Sequence, residues 1–157
     1  MKVECWFIGK TAPAYLESGL SDYAARIGKY VPFQMVVLPE PKDSGRYPPE
    51  KRLLREGEQI LQKLDRGDVL ILLDERGKSF SSSAFAGHLE KELNRSVRKL
   101  IFVAGGSFGF SQPVYDRAEQ RLSLSPMTFS HQMVRLFFLE QLYRAFTLLR
   151  NEPYHHS

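Results

Sequence analysis

The sequence lacks several features that would tie a protein to a membrane or to covalent cross-links. Among 157 residues there is one cysteine, Cys5, so an internal disulfide is excluded. No apolar run approaches the roughly 20 residues that a membrane-spanning helix needs, and the first residues do not follow the pattern of a secretory signal peptide. We therefore expect a single cytoplasmic domain over residues 1–157, long enough to bury a substantial core.

The sequence also lacks a cluster of metal ligands and a large excess of positive or negative charge. The histidines lack metalloprotein spacing and have no second cysteine to join them, so no metal site is predicted; they are His88, His131, His155 and His156. The 22 lysines and arginines exceed the 18 acidic residues slightly, for a net charge of +4. This excess is compatible with binding a phosphate backbone but does not require it.

Short apolar runs alternate with longer amphipathic segments. The runs predict strands over 3–8, 33–38, 68–73, 99–104 and 121–124. The segments between and after them predict helices over 14–30, 48–64, 81–93, 113–120 and 131–150, and a mobile loop of Pro, Lys, Asp, Ser and Gly over 39–49. This alternation indicates an α/β fold, with a mainly parallel sheet covered by helices on both faces.

Three segments that follow predicted strands are candidate ligand-binding loops, because ligands of open α/β sheets bind at the carboxyl ends of the strands. They are 73–78 (LDERGK), 104–109 (AGGSFG) and 124–129 (LSPMTF). Each is compatible with an ordinary turn or with a ligand-binding loop. The glycines of the second segment permit close approach of a ligand to the backbone, yet they match neither a P-loop nor a dinucleotide fingerprint.

The second segment also matches the G-x-S-x-G pattern of serine hydrolases. In that interpretation Ser107 is the nucleophile, and Asp116 with His131 or His155 completes a triad. However, Asp116 lies on the next short helix, and the sequence has no glycine-rich oxyanion segment. The hydrolase is therefore a secondary hypothesis.

The last predicted helix is apolar almost all round, so we expect a second subunit to cover the side that the sheet does not. Glu140 and Arg144 stand four residues apart on it, which fits either a surface ion pair or an arginine that reaches into a site. After the helix come Tyr154, His155 and His156. They fit either a solvated tail or chemically active side chains anchored by the tyrosine.

Four segments carry a family resemblance: LLDERGKSFSS, FVAGGSFGFS, LSLSPMTFSHQMVRLFFLEQLYRAF and the final NEPYHH. They occur in order, and with them the whole chain resembles the SPOUT superfamily of trefoil-knotted RNA methyltransferases. Within it, the chain is most similar to small bacterial enzymes that methylate N3 of a pseudouridine in large-subunit (23S) rRNA.

The resemblance implies a C-terminal trefoil knot, S-adenosylmethionine as cofactor, a homodimer, and an rRNA hairpin on the assembled ribosome as substrate. A non-catalytic ribosome-binding factor remains an alternative. The cofactor residues carried over by resemblance are Leu73, Gly105, Leu124, Ser125, Pro126, Met127, Thr128 and Phe129. Asn151 replaces a glycine that is frequent in the family, and asparagine tolerates the left-handed backbone there.

The resemblance, combined with the chemistry of methyl transfer, assigns the catalytic roles. Arg144 is expected to stabilise negative charge on the base, His155 to accept a proton or a hydrogen bond, and Tyr154 to stack on or orient the base. A separate group of basic residues is compatible with phosphate contact or with a solvated helix face: Arg46, Lys51, Arg52 and Arg55.

Overall fold

The computed structural model describes residues 1–42, 44–106 and 108–156. Along them run β1 (Lys2–Ile8), α1 (Ala14–Ile27), β2 (Phe33–Leu38), a 3₁₀ turn (Ser44–Arg46), α2 (Pro49–Lys63), β3 (Val69–Ser79), α3 (Ser82–Leu93), β4 (Lys99–Ala104), α4 (Gln112–Arg117), β5 (Gln120–Ser123) and α5 (Met133–Leu149). These bounds match the predicted elements closely, except that β3 is longer than expected.

The strands form one sheet in the order β2-β1-β4-β3-β5, and each neighbouring pair is parallel. Alternate strand residues point to opposite faces: Phe7 and Phe102 pack into one core, whereas Trp6 and Val103 pack into the other. Helices α1, α3 and α5 supply the first core, and α2 and α4 supply the second. The α/β prediction with helices on both faces is confirmed.

The segment predicted as a loop at 73–78 is, in the structure, the continuation of β3. Leu73 and Lys78 both stand opposite Leu122 of β5, so the residues between them bulge out of the ladder. Gly77 makes this possible, because a Cβ there would lie 2.5 Å from the Arg121 carbonyl carbon and 2.7 Å from Leu122 N. The bulge moves the polar residues 74–76 away from the sheet and to the edge where β4 ends.

Helix α5 is largely covered by its own chain. It packs between α1 and α3, and its buried residues include Phe138, Leu142 and Phe146. Phe137 remains 40% exposed. The apolar character of this helix therefore does not by itself require a second subunit, contrary to the argument from sequence. None of the helices in the described part of the chain is long and apolar enough to cross a membrane.

A buried arginine near the start of α5 ties the helix to the loop after β1. Arg135 is 1% exposed and donates to the carbonyl oxygen of Ile8 at 2.7 Å, to that of Gly9 at 2.9 Å and to Thr11 Oγ1 at 3.0 Å. Its guanidinium also lies 4.9 Å from the centre of the Phe7 ring. Burial lowers the pKa of Arg135 to about 10, so the side chain stays protonated at neutral pH.

Candidate active site

A cavity of about 410 Å³ lies where β3, β4 and β5 end. Its walls come from the β3 bulge, the loop after β4, the segment after β5 and the first residues of α5. Of the eight residues expected to bind a cofactor, it is lined by Leu73, Gly105, Leu124, Ser125, Met127, Thr128 and Phe129. Pro126 is not among the lining residues.

The loop after β4 packs closely against itself at Gly105. A Cβ at Gly105 would lie 2.9 Å from the Phe110 ring and 3.0 Å from the Gly109 oxygen, so a side chain there would displace the ring or the backbone. Gly109 has a φ of +81°, a conformation that L side chains rarely adopt. The glycines therefore shape one wall of the cavity. Ser107, the hydrolase candidate, lies outside the described residues.

The segment after β5 forms a compact turn held by hydroxyl groups. Ser125 Oγ accepts a hydrogen bond from Met127 N at 2.9 Å, and the Ser123 hydroxyl donates to the Ser125 carbonyl oxygen at 3.0 Å. The Thr128 hydroxyl donates to Glu75 Oε2 at 3.3 Å, which joins this turn to the β3 bulge across the cavity mouth. Met127 is 75% exposed at the rim.

Two carboxylates line the same cavity. Asp74 Oδ2 accepts a hydrogen bond from the Tyr115 hydroxyl at 2.6 Å. Burial, and then this hydrogen bond, raise the pKa of Tyr115, so the phenol stays a donor. Glu75 is the other carboxylate, and it accepts the hydrogen bond from the Thr128 hydroxyl. The sequence pattern predicted a polar loop here but did not distinguish these acids from an ordinary turn.

Arg144, Tyr154 and His155 are brought together around Glu140. Glu140 Oε1 accepts from the Arg144 Nε at 3.1 Å and from the Tyr154 hydroxyl at 3.0 Å. Arg144 Nη1 lies 3.0 Å from His155 Nδ1. The Tyr23 hydroxyl is 3.3 Å from that of Tyr154. The ion-pair interpretation of Glu140 and Arg144 and the catalytic interpretation of Arg144 are thus compatible in one cluster.

The protonation states in this cluster follow from its hydrogen bonds. The hydrogen bond to Glu140 raises the pKa of Arg144, which keeps it a cation. Burial, followed by the hydrogen bonds to Tyr23 and Glu140, raises the pKa of Tyr154, so this phenol is a donor and not a base at neutral pH. A guanidinium has donors only, so His155 Nδ1 accepts from Arg144 and the neutral ring carries its hydrogen on Nε2.

The C-terminal tail is fixed to the body of the protein and is not a solvated extension. The Tyr30 hydroxyl donates to Glu152 Oε2 at 2.6 Å, and Glu152 N donates to the Thr147 carbonyl oxygen at 2.9 Å. Asn151 turns the chain back with a φ of +55°, as its tolerance of left-handed geometry predicts. No local pattern in the sequence indicates that Tyr23 and Tyr30, which lie near the start of the chain, contact the C-terminal tail.

The cluster of Arg144, Tyr154 and His155 does not line the 410 Å³ cavity of its own chain. Along α5, the rise of a helix places Arg144 about 15 Å from Val134, which does line it. A smaller cavity of about 190 Å³ lies between them and includes Glu140 and Gln141. It shares Leu122, Leu124 and Phe129 with the larger one.

Comparison with known proteins decides the family. The family model described as "Predicted SPOUT methyltransferase" matches residues 1–155. The chain belongs to the SPOUT methyltransferases. The family uses S-adenosylmethionine as methyl donor, and membership implies a trefoil knot in the C-terminal part of the fold.

Curated relatives match over the full length. Proteins named ribosomal RNA large subunit methyltransferase H are similar to this SPOUT chain: that of Flavobacterium johnsoniae is 49% identical and that of Parabacteroides distasonis 47% identical, each over 157 residues and 100% of both chains. Their printed name gives those proteins an rRNA substrate.

Solved structures show the same fold at low sequence identity. A probable methylase family protein from Haemophilus influenzae has a TM-score of 0.53 at 18% identity, covering 95% of this chain and 66% of that chain. A probable methyltransferase from Bordetella pertussis has a TM-score of 0.54 at 14% identity, covering 91% and 93% respectively. These likenesses support the SPOUT fold alone.

The serine hydrolase hypothesis finds no support. Asp116 is exposed and accepts a hydrogen bond from Gln112 on its own helix at 2.8 Å. His155 lies beside Arg144 instead, and His131 lines the 410 Å³ cavity. No group of metal-binding side chains is found among the described residues.

The cavity fits S-adenosylmethionine by size and by chemistry. Its volume of about 410 Å³ falls within the range of about 300–1,000 Å³ for small-molecule sites. Leu73, Leu122 and Leu124 provide apolar walls for a flat ring, while Asp74 and Glu75 suit a ligand that carries a sulfonium and an ammonium group. The glycine loop adds backbone that a ligand can approach closely.

Proposed function

We propose that this protein transfers a methyl group from S-adenosylmethionine to N3 of a pseudouridine in large-subunit rRNA on the assembled ribosome. The observation that carries the proposal is the identity of 49% over the whole chain to a ribosomal RNA large subunit methyltransferase H. The 410 Å³ cavity and the Arg144 cluster supply the two parts that such a reaction needs. The proposed site of action is the cytoplasm, where ribosomes are located.

The bound cofactor supplies an electrophilic methyl on a sulfonium, and transfer leaves a neutral thioether. In the base, the N3–H bond breaks and an N3–C bond forms, while the proton passes to solvent. The chain must therefore stabilise an imide that is losing its proton. Arg144 is a fixed cation that can stabilise the negative charge on the flanking carbonyl oxygens, and the Nε2 hydrogen of neutral His155 can donate to one of them.

The hydrogen bonds of the C-terminal tail limit the roles that Tyr154 and His155 can have in this reaction. Tyr154 stays protonated and donates to Glu140, so it orients Arg144 and offers a ring face to the base. His155 can act as a proton acceptor at Nδ1 only after its contact with Arg144 breaks. We therefore favour a hydrogen-bonding role for His155 over general base catalysis.

We further propose a homodimer in which the cluster of one protomer completes the cofactor cavity of its partner. The separation of about 15 Å along α5 between Arg144 and Val134 supports this arrangement. Phe137 is 40% exposed and contacts Phe129 with ring centres 4.8 Å apart, so an apolar patch lies beside the smaller cavity. A second copy can cover this patch and bring its own Arg144 to the cavity.

Subunit mixing tests this composite site. Arg144→Ala and Gly105→Val are each expected to inactivate the homodimer, the first in the cluster and the second in the cofactor cavity. A random mixture of the two chains should recover about a quarter of wild-type activity, because half of the dimers then hold one intact composite site of two. If each site lies within one chain, the mixture should stay inactive.

The reaction class is tested by two binding and labelling assays. Calorimetry should detect binding of S-adenosylmethionine, and the labelled methyl group should appear in rRNA of ribosomes that lack this modification. A fluorophosphonate probe should leave Ser107 unlabelled. Binding of ribosomes without any methyl transfer would favour the non-catalytic ribosome-binding factor.

A further inference from the structure

One surface of the molecule combines cations with aromatic rings beside the cofactor cavity. Its members are Tyr47, Lys51, Arg52 and Arg55, here called the α2 basic surface. The ammonium nitrogen of Lys51 lies 4.4 Å from the centre of the Tyr47 ring, and the Arg55 guanidinium carbon lies 4.8 Å from it. Both distances are within the range of a cation–π interaction, which restricts where a cation sits without removing its charge.

Phe108 joins the α2 basic surface to the cavity. The guanidinium carbon of Arg52 lies 5.7 Å from the centre of the Phe108 ring. Phe108 lines the 410 Å³ cavity and is nevertheless 51% exposed. A large apolar ring is thus presented to solvent at the cavity rim, with basic residues next to it.

The topology of the sheet explains this juxtaposition. β2 and β4 both end at the edge where the cavity opens, and α2 follows β2 while the Phe108 loop follows β4. The cations lie in the first two turns of α2, where Lys51 and Arg55 are exposed. The helix also carries acidic residues: Glu50 precedes the cations, half-buried Glu56 interacts with Arg52, and Glu58 follows further from the rim.

The α2 basic surface lies on the face of the sheet opposite to α5. Helices α2 and α4 pack into the core that contains Trp6, whereas α1, α3 and α5 pack into the other core. A dimer contact through α5 therefore leaves the α2 basic surface accessible. Arg52 of α2 lies against Phe108, which lines the cavity, so a ligand that bridges the cavity and α2 would pass Phe108.

We propose that the α2 basic surface binds the phosphate backbone of the rRNA strand next to the target nucleotide, with Phe108 stacking on a neighbouring base. This inference rests on the proposed function, because a base that reaches the cofactor must bring its flanking phosphates across the cavity rim. Phosphate contacts position an RNA strand without reading its sequence. An exposed aromatic ring beside cations is the usual combination in surfaces that bind single strands.

The test uses the double variant Lys51→Ala/Arg55→Ala in the full-length protein. Its matched control is Arg66→Ala/Lys91→Ala, which removes one arginine and one lysine from exposed positions at the opposite edge of the sheet. For each protein, KM for ribosomes and kcat are measured across a salt series, and the affinity for S-adenosylmethionine is measured by calorimetry.

We expect the Lys51→Ala/Arg55→Ala protein to show a severalfold higher KM with unchanged kcat and cofactor affinity. The slope of log KM against log salt concentration should fall by about 2, since two phosphate contacts are lost. The control should match the wild type in all three measurements.

Each other outcome overturns the inference. An unchanged KM and salt slope would show that the surface does not touch RNA. A higher KM with an unchanged slope would indicate contact with a ribosomal protein, and an equal effect in the control would indicate a general charge effect. Weaker cofactor binding would assign these residues to the cavity. If the wild type itself transfers no methyl group to ribosomes, the proposed function fails instead.

Discussion

His155 Nδ1 lies 3.0 Å from the Nη1 of Arg144, and the two side chains come from the end of α5 and from the fixed tail that follows it. Removing either group should reduce charge stabilisation on the base. We expect Arg144→Ala and His155→Ala each to lower kcat roughly 100- to 1,000-fold, because each removes a donor to the developing negative charge. Single-turnover methyl transfer on ribosomes measures both.

The control for this prediction is the next residue. His156 is exposed and has no assigned role, so His156→Ala should keep wild-type kcat. Calorimetry should show unchanged binding of S-adenosylmethionine in each of the three variants. If Arg144→Ala and His155→Ala both kept wild-type turnover, the catalytic roles proposed for Arg144 and His155 would be wrong.

Tyr30 should make the fold sensitive to alkali. Burial and then the hydrogen bond to Glu152 raise the pKa of Tyr30 from 10.0 to about 12. A folded-state pKa above the unfolded value means that this stabilisation is fully present below pH 10 and is lost as pH rises through about 12. Urea unfolding at a series of pH values should show a shallower alkaline decline in Tyr30→Phe than in the wild type. Tyr15→Phe, at a position 67% exposed, serves as the control and should follow the wild-type curve.

The fold was predictable from sequence where one local pattern decides an element. The continuous apolar runs of β3 and β4 are buried on both faces, as predicted. Ser81 caps α3 by accepting a hydrogen bond from Ala84 N at 3.1 Å, as its position before the helix suggests. In these cases hydrophobic periodicity and capping act within a few residues, so no tertiary information is needed.

The rest depends on contacts between distant parts of the chain. The sequence does not indicate that residues 74–79 continue β3, because polar residues after an apolar run usually signal a turn. Arginine side chains on helices usually lie at the surface. Arg135 on α5 is instead buried against the loop after β1. The cofactor positions of the cavity were named through family resemblance, and their roles stay predictions until they are tested.

Any side chain at Gly77 should destabilise the β3 bulge. A methyl group there would lie 2.5 Å from the Arg121 carbonyl carbon, so Gly77→Ala must push β3 and β5 apart. We expect a loss of roughly 1–3 kcal/mol in the free energy of unfolding and weaker binding of S-adenosylmethionine, because the bulge forms a cavity wall. Denaturant titration and calorimetry measure the two effects.

Gly87 provides the comparison. It lies inside α3, and a Cβ there would meet nothing within 4 Å. Gly87→Ala should therefore leave cofactor binding unchanged and stabilise the helix by up to about 1 kcal/mol. Equal stability changes in Gly77→Ala and Gly87→Ala would contradict the close approach of β3 to β5.

Arg135 should matter for stability and for the order of the loop after β1. Arg135→Met removes the donors to Ile8 and Gly9 and leaves their buried carbonyl oxygens without these partners. We expect a loss of roughly 1–3 kcal/mol in the free energy of unfolding, together with faster amide hydrogen exchange in residues 9–12. Arg135→Lys should recover part of the stability, because an ammonium can restore one of these hydrogen bonds. Wild-type stability in Arg135→Met would show that the methionine packing compensates fully.

The position of the transferred methyl group tests the proposed reaction directly. Ribosomes lacking the modification are incubated with the wild-type protein and isotopically labelled S-adenosylmethionine, and the rRNA nucleosides are identified by mass spectrometry. We expect one labelled product, a pseudouridine of large-subunit rRNA methylated at N3, and none with the Arg144→Ala variant. Label on another nucleoside, or no label in rRNA, would contradict it.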